Sequence, residues 1–255
     1  MKKIYPLLSI AVFLSSCASS DKALSMKEQS AQNHWIAAPT DNTLTIIGVS
    51  NPMMKGKGDD EIAAAKEDAA KKAAMYYGVQ GRIEATHRDG ANFFDYINDS
   101  LVEVVYDKNY TKYIEQLTFD PKNDVIITKD AIFVRFKLAA AAKQVNYTAK
   151  FDKDGRPAWV NNRQLPEVAG FVTAVGFAQK QWRLKDTIYK ATEAAVVRMV
   201  ETASIQISEK IDTEAASVNY STSSKGQLIN FHVIEFWVEP KTNHVYTLAI
   251  AKLSR

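Results

Sequence analysis

Two stretches of this chain repeat one order of apolar positions: a short run of mostly apolar residues, a polar loop, then alanines recurring three and four residues apart. The first runs Thr43-Leu44-Thr45-Ile46-Ile47-Gly48-Val49 and resumes beyond the loop with Ile62, Ala65, Ala69, Ala73 and Tyr76. A β-branched run bounded by turn residues predicts a buried strand, and spacing of three and four predicts one face of a helix. Asp59 or Asp60 is expected to cap this helix and Gly78 to end it. Glu67/Lys71 and Asp68/Lys72 stand four apart and are expected to pair on its wet side. The alanine face is narrow, so the helix can lie close against a sheet. An extended piece is expected around Arg82 to Thr86, and Phe93 to Tyr106 allows a helix. Tyr113 to Phe119 and Val125 to Leu138 are expected to pair as antiparallel strands across Asp120-Pro121-Lys122-Asn123.

The same order returns in the second half. Thr173-Ala174-Val175-Gly176-Phe177-Ala178 predicts a strand, and Ile188, Ala191, Ala195, Met199 and Ala203 predict a helix face. Ile62, Ala65, Ala69 and Ala73 match the first four of these at identical spacing. Ser204 to Val218 is expected to be extended, and Tyr220 to Gly226 to be a polar loop. Phe231 to Val238 and His244 to Leu253 form a second hairpin, in which Glu239-Pro240-Lys241 stands where Asp120-Pro121-Lys122 stood. Trp159-Val160 likewise stands where Trp35-Ile36 stood. The pattern predicts an α+β fold made of two copies of a strand–helix–strands unit, each an antiparallel sheet packed by one long helix. The copies span residues 34–145 and 155–255. Ala139 to Pro157, with its alanine run and Asp152-Lys153-Asp154-Gly155-Arg156, is expected to link them.

The N-terminus changes the picture. Lys2-Lys3 precede an apolar run from Ile4 to Leu14, and Leu14-Ser15-Ser16-Cys17 follows with the chain's single cysteine. A positive start, an apolar core and small residues before the cut make a secretory leader, too short for the roughly 20 residues of a permanent span. The Leu-Ser-Ser-Cys sequence resembles a bacterial lipobox. That resemblance implies cleavage between Ser16 and Cys17, acylation of Cys17, and anchorage to a lipid bilayer by chains such as palmitate. Residues 1–16 are then the signal peptide and 17–33 a tether, poor in apolar residues, with a reach of roughly 20 Å by coil scaling. Ala18, rather than Asp, follows the cysteine, which is similar to the outer-membrane sorting pattern of enterobacterial lipoproteins.

Composition then narrows the function. The formal charge of the 255 residues is +3, and two of those charges are Lys2 and Lys3 of the leader. A near-neutral mature chain lacks the concentrated positive charge of a nucleic-acid binder or a polybasic membrane-surface protein. With its one thiol acylated, an exported chain forms no disulfide and offers no thiolate metal site, so stability must come from a packed core.

Trp159-Val160, Val175-Gly176, the Ala191/Ala195 helix and Trp237-Val238-Glu239-Pro240 before Tyr246-Thr247-Leu248-Ala249 together resemble the bacterial lipoprotein-20 family of membrane-associated lipoproteins. The second half carries the better match. In the first, Phe119-Asp120-Pro121 lacks the tryptophan and Phe93 to Tyr106 is a longer insertion. The resemblance implies an α+β module in a lipoprotein, with no shared catalytic residues to carry over. Related modules in flagellum-associated envelope proteins imply flagellar or cell-wall partners.

No catalytic constellation stands out. His34, His87, His232 and His244 lack the spacing of a helical zinc pair and read as surface or satisfied strand residues. Gly56-Lys57-Gly58 precedes a helix start, but Asp59-Asp60-Glu61 would repel a phosphate there. Ser100, Ser204 and Ser221 to Ser224 have no nucleophile elbow around them. Most aromatics, including Tyr76-Tyr77, Phe93-Phe94 and Trp237, read as core. Trp182, flanked by Gln179-Lys180-Gln181 and Arg183, is the expected exposed exception, and Trp182, Arg183 and Lys225 are the candidate partner contacts. No cofactor is expected. The leading expectation is a non-catalytic interaction or assembly component of the envelope, lipid-anchored at the outer membrane. The alternative is a periplasm-facing hydrolase or ligand-binding protein with its site between the two modules. A carrier of a small apolar ligand would need an empty pocket under the helix faces.

Overall fold

Thr43–Ser50 (β2) buries every residue after its first, as a strand does when both its faces are covered. The computed structural model describes residues 34–39, 42–52, 58–86, 101–161, 164–208 and 221–254. A short strand His34–Ile36 (β1) precedes β2, and the helix Asp59–Tyr77 (α1) follows it. Then come Val79–Thr86 (β3), Leu101–Tyr106 (β4), a 3-10 helix Tyr110–Gln116, Val125–Ile127 (β5) and Ile132–Ala139 (β6). A second 3-10 turn, Ala158–Asn161, leads to Val172–Ala178 (β7), the helix Leu184–Ser208 (α2), Ser221–Val238 (β8) and Val245–Leu253 (β9). The fold is mixed α+β.

The described strands form two antiparallel sheets. One has the order β2-β6-β5; the other has the order β4-β3-β8-β9-β7, with β1 beside β8. In both sheets a strand is followed by a helix and later by a hairpin, and the first strand pairs with the last strand of that hairpin. The long β8 joins the halves. One edge pairs with β9, while the other carries β3 along its first part and β1 along its end. Strands on either side of residues 146–154 therefore share one sheet.

Alternation along β6 sends Ile132, Val134, Phe136 and Leu138 onto the alanine face of α1. Phe133 points the other way, into a core where Ile47 and Val49 meet Trp35, Ile188, Ala191 and Phe236. That core seals the two halves together; Trp35 stacks on Phe133 with ring centroids 3.9 Å apart. The helix α2 covers one face of the larger sheet through Ala195, Val196, Met199 and Val200. Residues 142–161 and 164–171 cover the opposite face, burying Val145, Trp159, Val160 and Val168 against Ile234, Trp237 and Leu248.

The alanine faces let each helix touch backbone. A Cβ on Gly48 in β2 would overlap the carbonyl oxygen of Ala65 and lie 2.9 Å from Phe136 Cε2. A Cβ on Gly176 in β7 would overlap Ala191 O and Ala195 N and lie 2.9 Å from Ala195 Cβ. Each glycine thus marks the point where helix and strand come closest.

Several local expectations differ from the structure. Gly58 rather than Asp59 or Asp60 occupies the N-cap, its backbone N–H donating to Glu61 Oε2 at 3.0 Å. Gly78 closes α1 in an extended conformation, because β3 starts at the next residue and no left-handed turn intervenes. Of Phe93 to Tyr106, residues 101–106 are strand, paired with β3; 93–100 lie outside the described residues. Tyr113 sits in a 3-10 helix, and only Thr118 of the expected strand bridges β6, at Lys137. The hairpin of the first half closes through Thr128 to Ala131, so Asp120-Pro121-Lys122 is not the counterpart of Glu239-Pro240-Lys241. Trp35 lies in a strand and Trp159 in a 3-10 turn, so that likeness is one of sequence only.

Residues 204–208 continue α2, and 221–226 belong to β8, held by pairing to β3 that no local pattern announces. The stretch Asp152 to Arg156 is a closed turn rather than a free linker. Asp152 Oδ1 accepts from the N–H groups of Asp154 and Arg156 at 2.9 Å each, and Arg156 Nη2 donates to Glu239 at 2.5 Å.

Candidate functional site

The described start of the connection after β2, the connection into α2 and the two hairpin turns gather at one end of the fold, around an open groove of about 330 Å³. Asn51 and Pro52 come from the connection after β2, and Lys129 and Asp130 from the β5–β6 turn. Lys180, Gln181, Trp182 and Arg183 come from the connection into α2, and Asn243 from the β8–β9 turn. Matching strand–helix–hairpin order in the two halves brings four loops to one place.

The loop that carries Trp182 is braced from within. Gln181 N–H donates to Thr187 Oγ1 at 3.0 Å, and that hydroxyl donates to Arg183 O at 3.1 Å. Thr187 itself is buried, so the bonds pin the loop to the first turn of α2. The indole of Trp182 is left 94% exposed. Three cations, Lys129, Lys180 and Arg183, line the groove with one acid, Asp130. An aromatic plate among cations can bind an anionic surface by charge and by ring contact together.

Of the expected contact residues, Trp182 and Arg183 meet here. Lys225 does not: it lies on β8 opposite Arg82, roughly 43 Å of strand before Val238 at 3.3 Å per residue. Ser16, Cys17 and His87 lie outside the described residues. Lys129, Lys180 and Asn51 were not singled out by the sequence, and a cation beside a turn carries no local signal of what it will face.

The interior holds a second concentration of polar groups. Two irregularities in the β8–β9 register, between Ile229 and His232 and between Val233 and Glu235, break the alternation of β8 and turn polar side chains inward. Glu235 is fully buried, and its Oε1 is in direct contact with Nε2 of His34. Burial pushes the Glu235 carboxyl up to about 9 and the His34 imidazole down to about 4. Both shifts favour the neutral forms, so at neutral pH the buried pair carries its one proton on Glu235. His232 is also buried; its Nδ1 bonds Asn230 O at 3.0 Å, which fixes the proton on Nδ1, and burial lowers its pKa to about 4. Neither His34 nor Glu235 lines the groove, so no substrate in the groove reaches them. A charge inside the apolar run Phe231 to Val238 was the available sequence signal for Glu235.

The pair has a testable pH signature. In the unfolded chain Glu titrates near 4.5 and His near 6.5; in the fold the pair holds one proton from about 4 to about 9. Between pH 6.5 and 9 the folded state therefore binds one proton more than the unfolded state, and stability falls as pH rises. The slope from this pair is on the order of 1 kcal/mol per pH unit. Between 4.5 and 6.5 the two contributions cancel. Glu235→Gln should flatten the alkaline decline in a urea-denaturation series run from pH 6 to 9. An unchanged decline in that variant would show that other groups cause it.

Where the halves meet, the packing leaves a cavity of only about 20 Å³, bordered by Leu44, Ile46, Lys72, Thr192, Phe231 and His232. That is room for about one water molecule. Among the described residues no three His, Cys, Asp or Glu side chains converge as a metal site would need. No described helix is long and apolar enough to cross a membrane. Comparison of the chain with protein-family models, with curated proteins and with solved structures finds no match in any of the three.

Proposed function

We propose that this chain is a bacterial envelope lipoprotein, attached to a bilayer through acylated Cys17, that acts by binding rather than by catalysis. The observation that carries the reading is the leader: Lys2-Lys3, the apolar run to Leu14, then Ser15-Ser16 before the single cysteine. Several acyl chains at about 0.8 kcal/mol per buried methylene would hold the protein firmly. An outer-membrane location follows from Ala18 at the position after the cysteine.

The folded part favours an interaction role on physical grounds. An open, charged and aromatic concavity among the described residues is built from loops, and the buried His34, His232 and Glu235 lie outside it. A hydrolase or ligand-binding site between the modules needs an open polar cleft, and that interface is packed with Trp35, Phe133 and Phe236 around a cavity of about 20 Å³. The same small volume disfavours a carrier of an apolar ligand. Envelope proteins, with flagellar or cell-wall components suggested by the lipoprotein-20 resemblance, are the proposed partners.

We also read the two strand–helix–hairpin units as divergent copies of one ancestral module. The shared sheet order supports this, and so does the repeated contact of a strand glycine with a helix carbonyl, Gly48 on Ala65 and Gly176 on Ala191.

The anchor is tested by feeding cells an alkyne-tagged fatty acid and detecting the label on the protein. Wild-type chain should be labelled and Cys17→Ser should lose nearly all label while accumulating as unprocessed precursor. Equal labelling of the two would remove the anchor from the reading.

A further inference from the structure

We infer that the four-loop end of the fold docks on a layer of anionic lipid headgroups; the inference rests on the lipid-anchor reading for its geometry. Trp182 is one of four tryptophans in the chain, and Trp35, Trp159 and Trp237 are all buried. Loop bonds to Thr187 hold its indole out in water instead of letting it fold back on the protein. An indole with an apolar body and one N–H favours the boundary between headgroups and acyl chains. The cations around it come from separate loops, Lys129 from the β5–β6 turn and Lys180 and Arg183 from the connection into α2, against the single acid Asp130. A net positive rim around an exposed indole is complementary to an anionic leaflet.

The direction of β1 supplies the orientation. His34 pairs with Trp237, one residue before the end of β8, and the chain then turns through Asn243, which lines the groove. The antiparallel register therefore makes β1 enter the sheet from the groove end. Residues 17–33 join the proposed acylated cysteine to that point, so the anchor's chain enters the fold at the groove end. The part of β8 between Lys225 and Val238 alone is roughly 43 Å long at 3.3 Å per residue. The point of attachment thus lies at the groove end and away from the Lys225 end, which favours the groove end as the face nearest the bilayer.

The chain from Ala18 onward keeps every described element and lacks both leader and acyl chains, so it separates the surface from the anchor. It is mixed with vesicles of brominated phosphatidylcholine, with and without phosphatidylglycerol, while tryptophan emission is recorded. Bromine on the acyl chains should quench Trp182 in the phosphatidylglycerol vesicles, and binding should weaken with added salt. Lys129→Ala, Lys180→Ala and Arg183→Ala should each weaken binding about fivefold, and Trp182→Phe should abolish the quenching.

Absence of quenching on anionic vesicles overturns the inference. So does equal binding to phosphatidylcholine alone that none of the three substitutions alters. A shift of Trp182 emission with polyglutamate but not with vesicles assigns the groove to an acidic protein and likewise overturns it. Fatty-acid labelling at Cys17 is read separately: label without quenching retires the docking surface, and quenching without label retires the anchor.

Discussion

Gly176→Ala is expected to destabilise the fold by about 3 kcal/mol or more, toward the upper end of what a single overpacked methyl costs. The methyl would land on the backbone of α2, overlapping Ala191 O and Ala195 N, and backbone cannot swing aside as a side chain can. Relief requires α2 to lift from β7, which opens the contacts of Ala195, Val196 and Met199 with the sheet. At about 2–4 °C per kcal/mol for a chain of this size, the melting temperature should drop on the order of 10 °C. Gly48→Ala should behave alike, because Ala65 O of α1 stands in the same relation to β2. The control is Gly170→Ala, where nothing lies within 4 Å and only the positive φ of 77° opposes the change. That substitution should cost about 1 kcal/mol. Equal losses at Gly170 and Gly176 would remove close helix–strand contact as the cause.

Asp68→Ala is the second substitution with a large expected effect. The strand β2 is an edge of its sheet, so the backbone groups on the side away from β6 need partners from elsewhere. The helix supplies them. Val49 N–H donates to Asp68 Oδ2 at 2.9 Å, while Lys72 Nζ donates to Ile47 O at 2.7 Å and to the same Asp68 oxygen at 2.8 Å. The side chains of Asp68 and Lys72 are only 5% and 11% exposed. Removing the carboxylate leaves the Val49 N–H unpaired and the lysine without its counter-charge, a loss of about 3–5 kcal/mol for a buried pair. Urea denaturation of Asp68→Ala, Lys72→Met and the double variant should give a strongly non-additive cycle. Glu67→Ala one residue earlier breaks the exposed Glu67–Lys71 pair and should cost under about 1 kcal/mol. A loss for Asp68→Ala as small as that for Glu67→Ala would mean the clamp contributes nothing beyond a surface ion pair.

The two pairs show how far the sequence could be read. Glu67/Lys71 and Asp68/Lys72 have identical spacing and chemistry, and both read as pairs on the wet side of a helix. The first is there; the second is turned by about 100° of helix rotation onto the free edge of β2. Nothing local distinguishes them, because the difference lies in what stands beside the helix. Trp182 is the opposite case. Its polar neighbours, Lys180 and Arg183 among them, announced an exposed ring, and the ring is exposed, but Lys129, which shares its groove from the β5–β6 turn, meets it only through the packing of two sheets. Glu235 was passed over inside an apolar strand, and its partner His34 is distant in sequence.

Features set by neighbours a few residues away were legible in the sequence. They include the strand glycines, the alanine faces of α1 and α2, the β8–β9 hairpin and the α+β class. Periodicity encodes which side of an element is apolar because burial acts on each side chain through its own helix or strand geometry. The leader proposed before Cys17 rests on sequence pattern alone, since such an address is read from an extended chain before any fold exists. Tertiary structure alone decided which strands share a sheet. The polar stretch 221–226 became strand only through β3, and residues 142–161 and 164–171 became a layer of the core only through the exposed apolar face they cover. Strand partners are chosen by complementary edges and by surfaces left to bury, and both exist only once distant segments have met.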